Sequence, residues 1–383
     1  MEHTTQVLLQ LFLMFAAAKL LGAVFMRFRQ PAVIGEILAG VILGPYVLKI
    51  VSPSELTMGI AEIGVIILLF TVGLEIKPND LLRVGGRATL VAVLGIIIPF
   101  AGGFFYMRYV GHSTLESVFT GTALVATSVG ITARVLADMN ILNTEVARVI
   151  LGAAVVDDIL GMILLAIVSS VSEGHVSYLS LGVVIGEAVA FTLVVVFWGS
   201  RVVGRIRPRM NSVYSRNPAF IISLLACLGL SVAASYIGMA AIIGAFLAGL
   251  AIADHREEWG ITERIYALYE FLVPFFFVVM GAQLNLRTFL DRSIIATALI
   301  ISTIAILTKL IGCGLGAFKM GARDAIRIGF GMVPRGEVGI IVGLVGLRLH
   351  TISDAVYSIV IVMTIITTLM APPVLRLLFK GSK

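Results

Sequence analysis

Apolar runs of about twenty residues recur from one end of the chain to the other, each long enough to cross roughly 30 Å of hydrocarbon as a helix. They fall near 7–26, 31–50, 57–76, 88–107, 115–137, 147–171, 179–199, 218–236, 238–253, 266–283, 293–317, 325–347 and 355–379. This pattern predicts thirteen transmembrane helices, joined by loops too short to hold a separate soluble domain. The first run, Val7–Phe25, is too long for a signal-peptide core and lacks the basic flank and small-residue cleavage site, so it reads as a retained span.

Two runs are unsuited to be continuous helices. The fifth concentrates Gly121, Thr122, Thr127, Ser128, Gly130 and Thr132, and the twelfth is interrupted by Gly331, Pro334, Gly336 and Gly339 within GFGMVPRGEVG. They lie seven spans apart, an odd offset, so they run in opposite directions. That predicts inverted-topology repeats with two discontinuous helices, spans 5 and 12, crossing near the midplane, where freed carbonyls and half-helix ends bind ions. Gly and Pro are also common in ordinary transmembrane helices. The coincidence of two such breaks with nearby charges favours the ion-binding reading.

Composition fixes the class. Hydrophobic residues make up 59% of the chain and charged residues 13%, against roughly a quarter charged in soluble domains. The expected fold is an all-α polytopic membrane protein. Of the 28 Lys and Arg residues, twenty fall on one set of alternate loops and five on the other: Lys49, Arg108, Arg287, Arg292 and Arg348. Basic loops stay cytoplasmic, which places the N-terminus outside and the C-terminus inside. The net charge of +6 thus reflects topology and contact with anionic headgroups, with no call for nucleic acid. Cys227 and Cys313 lie inside apolar runs without metal or redox spacing. No GxxxxGK[ST] loop, no GxGxxG after a strand, no HExxH and no Ser/His/Asp set occurs, so the reading is a non-enzyme without nucleotide or cofactor. Coupling to an ion gradient remains as the source of work.

The informative charges lie within the spans. Asp157 and Asp158 are adjacent near the centre of Val149–Ser170, where a carboxylate costs at least about 2.5 kcal/mol. A bound cation is the expected compensation. Lys309, in span 11, either snorkels to the interface or pairs with a carboxylate, and Asp157 is the natural candidate if spans 6 and 11 are neighbours. Arg335 and Glu337, in the second interruption, are expected to neutralise one another or cap half-helix ends. Glu36, Glu62, Glu75, Glu187 and Glu270 are isolated acids read as structural, with Lys19 snorkelling or pairing with one of them. His3, His112, His175, His255 and His350 fall in loops or tails, which argues against a histidine relay within the membrane.

ALVATSVGITARVL (123–136), GAAVVDDILGMILLAIV (152–168), ILTKLIG (306–312) and GMVPRGEVGIIV (331–342) resemble the signature segments of bacterial cation:proton antiporters of the NapA-type sodium/proton branch. RQPAVIGEILAGVILGP (29–45) and FTVGLE (70–75) are similar to its N-terminal part. The resemblance spans essentially the whole chain. It implies a homodimer with a dimerisation scaffold from residues 1–87 and 218–292, an ion-translocating core from 88–171 and 293–383, and a linker span within 172–217. It further implies that Asp158 is the principal sodium- and proton-binding carboxylate, that Asp157 is its partner and is paired with Lys309, and that Thr127 and Ser128 form the unwound crossing. The compact, leaderless sequence suggests a bacterial inner membrane.

The expected mechanism is competition at one site under alternating access: Na⁺ or Li⁺ binds ionised Asp158 among neighbouring oxygens, and protonation expels it. Desolvation favours the neutral acid, which brings exchange towards neutral pH. Two carboxylates and one lysine suggest two protons per Na⁺ and electrogenic transport, with potassium/proton antiport as the alternative ion choice. A cation channel and a sodium-coupled solute symporter are the readings from other classes. Inverted repeats argue against the first, and the few polar groups beyond the ion site argue against the second.

Overall fold

The structure, a computed structural model, describes residues 2–28, 30–172, 178–210, 217–284 and 292–380, and those residues form helices without strands. In chain order the helices are α1 (Glu2–Arg27), α2 (Ala32–Leu43), α3 (Glu55–Glu75), α4 (Pro78–Val110), α5 (Thr114–Val125), α6 (Val129–Asp138), α7 (Glu145–Ser172) and α8 (Tyr178–Met210). They continue as α9 (Pro218–Tyr236), α10 (Ala241–Ile252), α11 (Arg256–Trp259), α12 (Thr262–Ala282), α13 (Arg292–Gly316), α14 (Ala322–Gly331), α15 (Gly336–Arg348) and α16 (Asp354–Phe379). Among the described residues nine helical stretches are long and apolar enough to cross a membrane, counting Thr114–Asp138 as one. The protein is a multi-pass helical membrane protein.

Local sequence explains most of the boundaries. Ser54 with Thr57 and Ser113 with Glu116 form capping boxes that open α3 and α5, satisfying amide donors that the first helical turn leaves free. Pro78 and Pro218 occupy first-turn positions of α4 and α9, where a missing N–H costs nothing. Gly111 closes α4 with a positive φ of 97°.

Several expected spans differ in length. The span expected at 31–50 is helical only over Ala32–Leu43. At 1.5 Å per residue its twelve residues rise about 18 Å, well short of the hydrocarbon thickness. Pro45 follows an extended Gly44 and stops the helix. The span expected at 238–253 is likewise a twelve-residue helix, α10, which a single 3₁₀ turn joins to the short α11. In the other direction, α4 and α8 run for 33 residues each; α4 starts in the polar segment 78–87, where Pro78 sits in the first turn and Gly85 and Gly86 are carried within the helix.

The helices pack as two groups. In one, α1, α2, α3, α9, α10 and α12 contact each other; in the other, α4, α5 and α7 pack with α13 to α16, and α8 touches α7, α9 and α10. Close backbone approach holds the first group together. A Cβ on Gly73 of α3 would stand 2.2 Å from the Phe246 carbonyl oxygen, and one on Gly249 of α10 would stand 2.2 Å from that of Phe70. Lipid tails offer no hydrophobic drive to bring helices together, so small residues that admit such interlocking supply the packing energy. The short helix α6 lies where the groups meet, in contact with α2 and α3 on one side and α7 and α16 on the other.

Candidate functional site

Helical structure lapses over 126–128, between α5 and α6, and over 332–335, between α14 and α15. The two gaps touch. The Ser128 amide donates to the Pro334 carbonyl at 2.7 Å, and the Thr132 hydroxyl donates to the Gly331 carbonyl at 2.6 Å. Thr127 Oγ1 lies 3.5 Å from the carbonyl oxygens of both Val125 and Met332. Gly336 takes a positive φ of 47°, and a Cβ there would fall 2.5 Å from Ser128 Oγ. Only glycine permits this crossing.

Each break leaves carbonyls at the end of a half-helix without an intrahelical donor, and a buried cation answers each. Lys309, on α13, is fully buried and places its ammonium at 2.8 Å from the carbonyl oxygen of Val125, the last residue of α5. The same nitrogen donates to the Gly95 carbonyl of α4 at 2.9 Å and lies 3.1 Å from Asp157 Oδ1 on α7. An ammonium has three donors, and here all three are used. Arg335 is also fully buried. It donates to the carbonyls of Met332 and Val333, just past α14, at 3.3 and 2.5 Å, and to Ala305 of α13 at 3.1 Å. Both cations therefore sit at C-terminal half-helix ends, where the helix dipole favours positive charge. Among the described residues Arg335 forms no salt bridge; the Glu337 side chain, its expected partner, lies outside what the structure describes.

Asp157 is 2% exposed and points into the α4–α7–α13 packing towards Lys309. Its neighbour Asp158 points elsewhere, into a narrow cleft between the two helix groups, lined by Val129 of α6, Leu69 of α3 and Ile243 and Phe246 of α10. Successive residues on a helix diverge by about 100°, so adjacent aspartates reach different surroundings. Thr127 and Ser128 are buried at the crossing.

Sequence reasoning left several participants unnamed. The carbonyls of Gly95 and Val125 complete the Lys309 site but carry no side-chain signal. Thr368 of α16 accepts from the Gly336 amide at 3.3 Å and so caps the second break. Lys19, expected to snorkel or to pair with one of the isolated acids, pairs with Glu270 at 2.5 Å, and Glu75, one of those acids, pairs with Arg256 at 2.7 Å. Glu36 and Arg134 differ most from expectation. Arg134, which falls within the expected span 115–137 and is one of the twenty basic residues assigned to the cytoplasmic side, is 5% exposed, and Glu36, read as an isolated acid, is 2% exposed and 3.4 Å from it.

Fold and geometry together define a polytopic helical membrane protein with buried charged residues where two gaps in helical structure meet. Residues 13–381 match the family described as sodium/hydrogen exchanger, transmembrane, and the chain belongs to that family. It is 36% identical to the high-affinity Na⁺/H⁺ antiporter NhaS3 of Synechocystis over 98% of this chain and 90% of that protein. It is 34% identical to the Na⁺/H⁺-K⁺ antiporter GerN of Bacillus cereus over 98% of this chain and 96% of that one. Among solved structures, the sodium proton antiporter MjNhaP1 of Methanocaldococcus jannaschii at pH 8 superposes with a TM-score of 0.69, covering 100% of this chain and 98% of that one at 18% identity. At that identity the likeness speaks for the fold alone.

Proposed function

We propose that the protein is a secondary sodium(lithium)/proton antiporter in which Na⁺ and H⁺ compete for Asp158. The observation that carries this reading is the divergence of the two aspartates: Asp157 is committed to Lys309, whereas Asp158 faces the cleft between the helix groups beside the break at Thr127–Ser128. A carboxylate at a seam between two bodies can be reached alternately from either side as one body moves. Family membership and the relatives' activities support the choice of ions.

In this mechanism ionised Asp158 and nearby oxygens at the crossing replace part of the hydration shell of Na⁺, and protonation releases the ion. Arg335 and Lys309 hold positive charge at the half-helix ends throughout the cycle. Asp157 and Asp158 both protonated leave the core one positive charge richer than when both are ionised around a single Na⁺. Exchange is then two protons for one Na⁺, and one net charge crosses per cycle. The group of α4–α7 with α13–α16 serves as the moving core, and α1–α3 with α9, α10 and α12 as the scaffold of a homodimer in the inner membrane. In this arrangement thirteen crossings form inverted repeats, the N-terminus is outside and the C-terminus is cytoplasmic. The name of the relative GerN gives K⁺ a place as a second cation, so the ion series belongs in the test.

Proton flux in proteoliposomes on addition of Na⁺, Li⁺ or K⁺ measures the exchange directly. Asp158→Asn keeps the volume but removes the charge and the titratable proton, and it is expected to abolish cation-driven proton flux while leaving a folded protein. Flux at the wild-type rate in that variant would remove Asp158 from the carrier role.

A further inference from the structure

A second cluster of charge lies apart from the aspartates, on the walls of a cavity of about 530 Å³ lined by Lys19, Glu36, Arg134, Asp138, Glu270 and Arg376, of which Glu36 and Arg134 are buried and the rest partly exposed. Arg134 projects from α6, the short helix at the meeting of the two groups, and two of its contacts belong to the opposite group. Its Nη2 lies 3.4 Å from Glu36 Oε1 on α2, and its guanidinium stands 4.8 Å from the centroid of the Tyr269 ring on α12. Its third contact is local, Nε to Asp138 Oδ1 at 3.2 Å, one helical turn along α6. The remaining charges pair elsewhere or lie on the cavity wall: Lys19 of α1 with Glu270 of α12, and Arg376 of α16 on the wall.

The pairing is incomplete. Among the described residues Arg134 Nη1 and Nε and Glu36 Oε2 are buried without a hydrogen bond, Nε meeting Asp138 only as an ion pair. A buried ion pair repays its desolvation only when the remaining donors and acceptors are satisfied, so this pair is a poor device for holding a static protein together. It also lies at the boundary rather than within a group. Around it the groups meet through side chains: a Cβ on Gly130 of α6 would find Val65 Cγ2 at 3.4 Å and Phe276 Cε1 at 3.6 Å, ordinary contact distances, with no backbone interlocked.

We infer that Arg134 is a latch between the two helix groups, held by Glu36 and the Tyr269 ring in the present conformation and withdrawn when α6 moves, so that it sets the balance between the two access states. This rests on the moving-core reading above. Arg134 acts through Glu36 and Tyr269 and touches neither transported ion; it is a positioning residue. A latch that favours one access state raises the apparent Na⁺ affinity on the face which that state exposes and lowers it on the other, because apparent affinity scales with the fraction of the competent state.

The test measures half-saturating Na⁺ separately from each face, in right-side-out and everted vesicles, for wild type, Arg134→Gln, Glu36→Gln and the double variant. The single variants are expected to shift the two faces in opposite directions, by about tenfold in their ratio, a typical size for coupling between states. The double variant, which leaves no lone buried charge, is expected to fold with near wild-type thermal stability and to keep the shifted ratio. Arg134→Lys, which retains the charge, is expected to recover part of the wild-type ratio. Equal changes on both faces, or a wild-type ratio in the stably folded double variant, would overturn the latch and leave a structural pair. Asp158→Asn assayed alongside separates the two ideas: cation-driven flux surviving there contradicts the exchange mechanism itself, whereas its loss together with an unshifted face ratio contradicts the latch alone.

Discussion

Lys309 and Arg134 are both buried cations on transmembrane helices, and their surroundings differ in kind. Lys309 has every donor engaged, two by carbonyls and one by Asp157. Its seam between α4 and α13 is interlocked: a Cβ on Gly312 would stand 2.4 Å from the Leu94 carbonyl oxygen. Arg134 leaves a donor unmet, and its seam is built from side chains in ordinary contact. A seam closed by backbone against backbone has one register, since any slide drives atoms into each other. A seam of side chains can adopt a second register by changing rotamers. The first kind resists sliding, and the second is the seam along which the proposed movement of one helix group past the other takes place.

The largest effect expected to test this contrast is at Lys309. Lys309→Gln leaves Asp157 buried without its cation, and such half-removal costs about 3–5 kcal/mol. A fall in melting temperature in detergent is expected, together with partial recovery in the Lys309→Gln, Asp157→Asn pair. The surviving exchange should approach one proton per Na⁺. In wild type, 100 mV contributes about 2.3 kcal/mol for the one charge moved, enough to shift the equilibrium Na⁺ ratio roughly fiftyfold. The reversal point of the Na⁺ gradient against the pH gradient at several clamped potentials reads this out, and a wild-type reversal independent of voltage would refute two-proton exchange.

Next in size is Gly312→Ala. Its methyl group meets a backbone oxygen that cannot turn aside, and overpacking of this kind costs about 1–3 kcal/mol. Thermal unfolding should show the loss, and a wild-type melting temperature would mean that the α4–α13 seam is no more rigid than the boundary of α6.

Thr127→Ala should act more weakly. The hydroxyl lies 3.5 Å from each of two carbonyls, a distance that makes little contribution, and water can replace a lost ligand. A rise of about two- to fivefold in half-saturating Na⁺ is expected from a net hydrogen-bond value near 1 kcal/mol. A complete loss of exchange would make Thr127 a principal ligand. Smallest of all is Gly130→Ala on the sliding seam, where contact distances are ordinary and the stability change should stay within about 0.5 kcal/mol. A destabilisation equal to that of Gly312→Ala would erase the distinction between the seams.

Chemistry that is local is legible residue by residue. The helix breaks around Thr127–Ser128 and Met332–Arg335 were legible because Gly, Pro and hydroxyl residues act within a turn of where they stand. Asp157, Asp158 and Lys309 stood out because charge in a hydrocarbon run is costly wherever the run is placed. Glu36 and Arg134 were misjudged for the converse reason. Each lies close to a span end where a solvated charge is the ordinary outcome, and only their meeting across 98 positions of sequence removes them from water. The early end of α2 was hidden because hydropathy continues past the point where the backbone turns.

Taken alone, then, the sequence determines the medium and the local breaks: a helical chain in lipid, with two weakened helices and three costly charges. Hydropathy and backbone propensity are properties of adjacent residues and survive without any fold. What surrounds each charge was decided by tertiary structure. Lys309 reaches Val125 and Asp157 across 184 and 152 positions, and the rotation of α7 gives one aspartate to that lysine and turns the other to the cleft. Desolvation and ion pairing depend on which atoms surround a charge in space, and that is set only when distant helices pack.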